Sequence, residues 1–370
     1  LAAAEAAACV SVFIPVHRSG VEVNEMMDGI TLKAKLQQAE RTLAEKGTDQ
    51  DTIDRLLKGG MGLVEQREFW NSMKSEGLAL FMSDGFFKYF KLPYPVKEEV
   101  LVDSSFYVTP IVPLLNNKDF YLLVLSRDDS ALYRGDAFGL SEVQVTGLPQ
   151  KLNTGMDEEG RRRILTGAGA GHHSYEEEKT AGESEDTLFL VQSLKKADEA
   201  LIKDEASSVK KPPVLLAGTG YLVENFRKIS QYPNIAGEVL EGDFEQTDKD
   251  SLYRMAKEKL ATYFKEDTSK ALKAFYENSS TELTSSIPDE VIQASYDKKV
   301  SDLFVQKDEH LWGVFNEAAN KPVIHQQPDK FNTCLLNKAV IKTILNGGAV
   351  HILEKDKMPA DSKVAAFMRY

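Results

Sequence analysis

Apolar and polar positions along this chain shift between two periods, and the shifts mark its elements. Val10-Ser11-Val12-Phe13-Ile14-Pro15 alternates with period two and stops at proline, which predicts a strand. Over Ile30 to Lys46 the spacing becomes helical, with Leu32, Leu36, Ala39 and Leu43 at three- and four-residue steps and Gly47 as the stop. Two shorter helices are predicted over Asp51–Lys58 and Leu63–Ser75. Gly77 to Met82 reads as a buried strand, and Asp84-Gly85 turns it into a partner, Phe86–Leu92. Val100–Asp103 and the apolar Ile111–Leu115 close this first block.

Asn116-Asn117-Lys118-Asp119 marks the first boundary. Phe120 to Leu125 is apolar on both faces, as a central strand must be, and a meander follows through Ala131–Arg134 and Glu142–Val145. The stretch 153–185 is glycine-rich, charged and almost without core-type residues, so it predicts a long loop. A helix over Asp186–Asp204, a strand over Val214–Gly218 and a helix over Tyr221–Ile229 complete the block. Beyond it, a long helical region is predicted over Asp248–Asn278 and a helix over Pro288–Tyr296. A strand over Val300–Val305, an irregular stretch over Trp312–Asp329 and a helix over Phe331–Leu345 follow, and strands over Ala349–Leu353 and Ala365–Tyr370 end the chain. The reading is α/β in three domains, 1–115, 116–246 and 247–370.

Composition narrows the function classes. Of 370 residues, 42% are hydrophobic and 28% charged, an ordinary globular balance, and no apolar run is long enough to span a membrane. The net charge of −12 argues against non-specific duplex DNA binding, so any nucleic-acid contact must be local. Two cysteines, Cys9 and Cys334, without a C-x-x-C pair rule out a disulfide framework and a thiolate zinc cluster and suit a reducing cytoplasm. The alanine-rich Leu1–Cys9 carries Glu5 and lacks a basic start, so a helical or tag-like leader is expected rather than a signal peptide.

Four segments carry a family resemblance. They are Gly77-Leu78-Ala79-Leu80-Phe81 through Leu92-Pro93-Tyr94-Pro95-Val96, then Phe106-Tyr107-Val108-Thr109-Pro110-Ile111-Val112-Pro113-Leu114-Leu115, then Phe120 to Tyr133. The fourth is Leu345-Asn346-Gly347-Gly348-Ala349-Val350-His351-Ile352-Leu353 with the terminal Val364 to Tyr370. In this order they resemble the class-1 release factor and Pelota superfamily, most closely the bacterial archaeo-eukaryotic release factor families. The resemblance implies a three-domain release-factor-like architecture, an RNase H-like middle domain and a C-terminal α/β/α sandwich similar to a ribosomal-protein fold. It further implies a translation-associated role in the cytoplasm, with the ribosome or structured RNA as partner and no cofactor.

The family's functional motifs are altered. Where release factors carry Asn-Ile-Lys-Ser, this chain has Thr31-Leu32-Lys33-Ala34-Lys35, in which only the lysine corresponds. Lys33 and Lys35 are candidate RNA contacts, or simply solvated lysines on an amphipathic helix. Where the family carries Gly-Gly-Gln, the loop holds Gly167-Ala168-Gly169-Ala170-Gly171-His172-His173. Gly167, Gly169 and Gly171 permit close backbone approach to a phosphate, and Arg161, Arg162 and Arg163 supply charge. His172 and His173 are candidates for general base, RNA contact or metal ligand, set against a plain polar loop that happens to contain two histidines. Adjacent histidines alone are a weak metal signal, so no metal site is assigned to them. Two functions stay open: a ribosome or RNA-binding factor without the usual peptide release, and a hydrolase of RNA or peptidyl-tRNA ester acting through His172-His173. His351 reads as a packing residue, Gly218-Thr219-Gly220 as a tight turn and Asp128-Asp129 as a hairpin turn. Oligomeric state is not legible.

Overall fold

The run at the head of the chain forms β1 (Glu5–Pro15) in the computed structural model. The structure describes residues 1–17, 26–73, 75–126, 130–145, 185–204, 211–329 and 332–370. The alanines expected in a helical leader are strand instead. Glu5 pairs with Ser105 and Cys9 with Asp103 of β4 (Glu99–Ser105), so cross-strand hydrogen bonds override alanine's helix preference. Period two then divides the strand between two cores. Val10, Val12 and Ile14 meet Leu32, Leu36, Ala39 and Leu43 of α1 (Met27–Glu45), whereas Cys9 and Phe13 face the opposite side.

The sheet runs β3-β2-β1-β4, with β2 (Gly77–Ser83) and β3 (Phe86–Leu92) as the hairpin read from Asp84-Gly85. α2 (Gln50–Val64) is longer than either short helix expected there, and only α3 (Arg67–Asn71) follows it. Asp49 caps α2 by accepting from the Thr52 amide at 2.9 Å. The helix continues through its glycines because neighbours need the space. A Cβ on Gly59 would sit 2.4 Å from the Phe87 ring, and one on Gly60 would sit 2.9 Å from Leu36 and Met82. The outer strand β3 carries Lys88 and Lys91, which discourage edge pairing.

Compact packing divides the chain into two units: Leu1–Asn116 with Lys265–Tyr370, and Asn117–Phe264. The second unit is built on β5 (Phe120–Leu125), which is buried on both faces as its continuous apolar sequence predicts. It pairs antiparallel with β6 (Ala131–Gly135), which pairs antiparallel with β7 (Leu140–Val143). On its other side lie β8 (Val214–Gly218) and β9 (Ile235–Glu241), both parallel to it, giving the order β7-β6-β5-β8-β9. Helices α5 (Glu185–Asp204) and α6 (Gly220–Ile229) cover the face of Tyr121, Leu123 and Leu125. Helix α7 (Lys249–Lys259) covers that of Phe120, Leu122 and Val124. Strand β9 is absent from the sequence reading, because Gly237 and Glu238 interrupt its apolar pattern.

The remaining chain returns to the first unit. The long helical region breaks at Leu260 into α7 and α8 (Ala261–Glu277). β10 (Thr284–Ser285), α9 (Pro288–Tyr296) and β11 (Val300–Gln306) come next. The stretch read as irregular is a hairpin, β12 (Trp312–Asn316) with β13 (Lys321–His325), extended by β14 (Thr333–Cys334). Then come α10 (Leu335–Leu345), β15 (Ala349–Leu353) and β16 (Val364–Met368). A second sheet has the order β10-β16-β11-β15, with β11 and β15 parallel.

One core joins both stretches of this unit. Phe13, Phe81, Phe106 and Val108 pack in a single cluster with Val291, Leu335, Ala339 and Val340. At its centre Asn337, 2% exposed, accepts from the Val108 amide at 2.9 Å and the Thr109 hydroxyl at 3.1 Å, and donates to the Phe106 carbonyl at 2.9 Å. The segment 106–109 leads into a 3₁₀ turn (Thr109–Ile111) and α4 (Val112–Leu115). Replacing Asn337 by Ala strands three buried polar groups, each costing roughly 1–3 kcal/mol. Urea denaturation of Asn337→Ala is expected to show a loss on the order of 3–5 kcal/mol. A change within experimental error would refute the role given to this side chain.

Candidate functional site

The residues singled out in the long loop, Arg161, Arg162, Arg163, Gly167, Gly169, Gly171, His172 and His173, lie outside the described residues, as do Asp128 and Asp129. Lys33 and Lys35 are described, on α1. Lys33 points to solvent, while Lys35 is half-buried and paired with Glu98 at 2.9 Å. Two residues apart on a helix, they face different directions and form no joint patch.

The other motifs resolve into structural roles. His351 is buried on β15, stacks on Phe304 with ring centroids 5.3 Å apart, and donates through Nε2 to Asp302 at 3.1 Å. Burial works against the Asp302 carboxylate, but its bonds to His351 and Ser301 win and hold it below the usual range. At Gly218, φ is +153° and a Cβ would lie 2.7 Å from the Leu125 carbonyl oxygen. The glycine therefore serves the close approach of β5 and β8 at the turn into α6.

Near that turn the second unit carries a polar cavity of about 370 Å³. Val124, Ser130, Tyr133, Glu142, Gln144 and Glu245 line it on the α7 face of the sheet. Ser126, just past β5, donates to Glu245, just past β9, so the cavity opens at the carboxyl ends of parallel strands. That is where open α/β sheets place ligands.

A buried titratable cluster lies in the first unit and was not anticipated from sequence. His310, between β11 and β12, faces Glu99 at the start of β4 and Cys334 at the N-cap of α10. Its Nε2 is 2.6 Å from Glu99 Oε1 and its Nδ1 is 3.4 Å from Cys334 Sγ. Trp312 stacks on the imidazole at 5.1 Å, and the Tyr107 ring lies 5.3 Å away on a tilt. Burial opposes a charged ring, but hydrogen bonds to Cys334 and Glu99 outweigh it and push the His310 pKa up to about 10. At neutral pH the ring is an imidazolium donating to both neighbours. Burial, then the charges of Cys334, Glu99 and Asp308, push the Tyr107 phenol well above its ordinary range. Beside the cluster is a cavity of about 220 Å³ with Tyr107 and Asp308 in its wall, together with Tyr94, Val96, Pro110 and Lys307. Sequence separations of 24 and 211 residues between the hydrogen-bonding partners explain why no motif announces the site. Among the described residues, no group of three or more His, Cys, Asp or Glu is arranged to hold a metal ion.

The raised pKa fixes a pH dependence. The His310 contribution to stability is fully present below the unfolded histidine pKa of about 6.5 and is lost as pH rises through about 10. Urea midpoints of the intact chain are therefore expected to fall across that window. In His310→Gln the fall should flatten. An unchanged slope in the variant would show that another group titrates.

Residues 119–299 match bacterial archaeo-eukaryotic release factor family 3. No curated protein matches the chain. Among solved structures, an archaeal translation termination factor, aRF1, is similar at 16% identity over 99% of this chain and 94% of its own, with a TM-score of 0.24. Archaeoglobus fulgidus Pelota aligns at 14% identity over 79% of each chain, TM-score 0.31. Dom34 of S. cerevisiae, described as a translation termination-like factor involved in RNA quality control, aligns at 12% identity over 80% of this chain and 74% of its own, TM-score 0.37. Among the described residues no helix is long and apolar enough to cross a membrane. Residues 119–299, just under half of the chain, are thus the stretch that is similar to a bacterial archaeo-eukaryotic release factor family.

Proposed function

We propose that this protein is a translation-associated binding factor that engages the ribosome or structured RNA without Gly-Gly-Gln-type peptide release. The observation that carries the reading is the family match over 119–299, which covers nearly all of the second unit and runs on into the first. The five-stranded sheet, in which β5, β6 and β7 form an antiparallel meander and β8 and β9 run parallel to the central β5, supports an RNase H-like middle domain. The sequence itself argues against release in the family's manner, since Gly-Gly-Gln occurs nowhere in it. With a net charge of −12, the contact must be local. The triple arginine and the glycine-rich run are the segment suited to such a contact, with the backbone free to approach phosphates.

The alternative is a hydrolase in which His172 or His173 takes a proton from water attacking an RNA or ester bond. One experiment separates the two. The chain is expected to co-sediment with ribosomes from native extract at low salt, and the bound fraction to fall as salt rises, because phosphate contacts release counterions. The double change His172→Ala/His173→Ala should leave co-sedimentation intact under the binding reading. Turnover of peptidyl-tRNA or RNA by the wild type that disappears in the double variant would establish the enzyme instead. Absence of both association and turnover would end the translation reading.

A further inference from the structure

The two cysteines of this chain are matched in burial and opposite in chemistry. Cys9 is 0% exposed and Cys334 is 1% exposed. Cys9 Sγ donates to the Ser104 carbonyl at 3.6 Å, the behaviour of a neutral thiol. Cys334 Sγ instead lies 3.4 Å from His310 Nδ1, and the opposite ring nitrogen is held by Glu99 at 2.6 Å. Carboxylate, imidazole and sulfur thus stand in line, the arrangement that turns a thiol into a nucleophile. The helix adds to it. Cys334 is the N-cap of the eleven-residue α10, where the backbone dipole favours negative charge. The charged and titratable groups around the imidazole are Glu99, Cys334, Tyr107 and Asp308, and Lys363 Nζ donates to the His310 carbonyl at 3.3 Å.

Access selects the reactant. A sulfur 1% exposed excludes a bulky electrophile. The 220 Å³ cavity ends at Tyr107, whose ring lies 5.3 Å from that of His310; Cys334 is not in its wall, so only a small reactant that passes the Tyr107 ring can reach the sulfur. We propose that Cys334 is a modification site for hydrogen peroxide, with His310 as its proton donor and Glu99 as a positioning residue. The thiolate sulfur attacks one peroxide oxygen, and a new S–O bond forms as the O–O bond breaks. The departing hydroxide takes the proton from the His310 imidazolium and leaves as water. The sulfur loses two electrons and becomes a sulfenic acid, the peroxide gains two, and His310 is left neutral. This chemistry is independent of the ribosome reading.

The test uses the intact chain with hydrogen peroxide, dimedone to trap sulfenic acid, and peptide mass mapping to resolve the two cysteines. Cys334 is expected to be trapped at least about tenfold faster than Cys9, because only Cys334 has an imidazole and a helix N-terminus beside its sulfur. That advantage should shrink as pH rises towards deprotonation of His310. His310→Gln should bring the two rates together, and Glu99→Gln should reduce the Cys334 rate while leaving that of Cys9 unchanged. The wild type alone decides the matter if a variant misfolds, because Cys9 is the reference within the same molecule. Equal trapping of both cysteines, or trapping of Cys334 only in urea, would overturn the proposal. An advantage that persists in a folded His310→Gln chain would overturn the role given to His310.

Discussion

Asn337 is where the first unit closes on itself. Its amide satisfies the backbone of Phe106 and Val108 and the Thr109 hydroxyl, more than two hundred residues earlier in the chain. A buried asparagine in an apolar cluster is costly unless its hydrogen bonds are made, and only the native apposition of these two stretches makes them. Hydrophobic burial supplies attraction between the stretches without choosing a register. The amide chooses it. Once α10 is fixed against 106–109, Asn116 reaches the Val350 carbonyl at 2.7 Å and Lys338 the Ser104 hydroxyl at 3.2 Å.

The same closure assembles the charged cluster. Glu99 enters from the start of β4, Cys334 from the residue before α10, and His310 from the loop between β11 and β12. None of these elements can place its side chain without the shared core behind it. The contrast with His351 shows what position decides. His351 lies buried within a sheet between the Thr268 hydroxyl and Asp302, with a phenyl ring on its face. His310 has a sulfur on one nitrogen and a cavity-wall tyrosine against its ring.

Local signals were legible in the sequence, and distant ones were not. The heptad-like spacing of Leu32, Leu36, Ala39 and Leu43 and the continuous apolar run Phe120–Leu125 named their elements, because burial on one or two faces writes a period directly. The opening alanines became strand through pairing with Ser105 and Asp103, about a hundred residues away, which no local preference encodes. The β12–β13 hairpin escaped because its outward positions include Val314, Val323 and Ile324, so inner and outer faces look alike. The break between α7 and α8 has no proline to mark it. Of the candidate site residues, Lys33 and Lys35 fell where a helix was expected, but Glu98, from another element, decides what Lys35 can do. The Glu99–His310–Cys334 alignment is a tertiary product in which each residue alone reads as ordinary.

The family match and this cluster also speak for different parts of the chain. The match covers 119–299, whereas Glu99, His310 and Cys334 all lie outside it, in the first unit. A scaffold does not dictate chemistry, which resides in the particular groups it positions. The match therefore bears on the second unit and on residues 265–299 of the first. The thiol's environment follows instead from the closure at Asn337, the N-terminus of α10 and a carboxylate on β4. Disturbing that closure should disperse the cluster without touching the five-stranded sheet of the second unit.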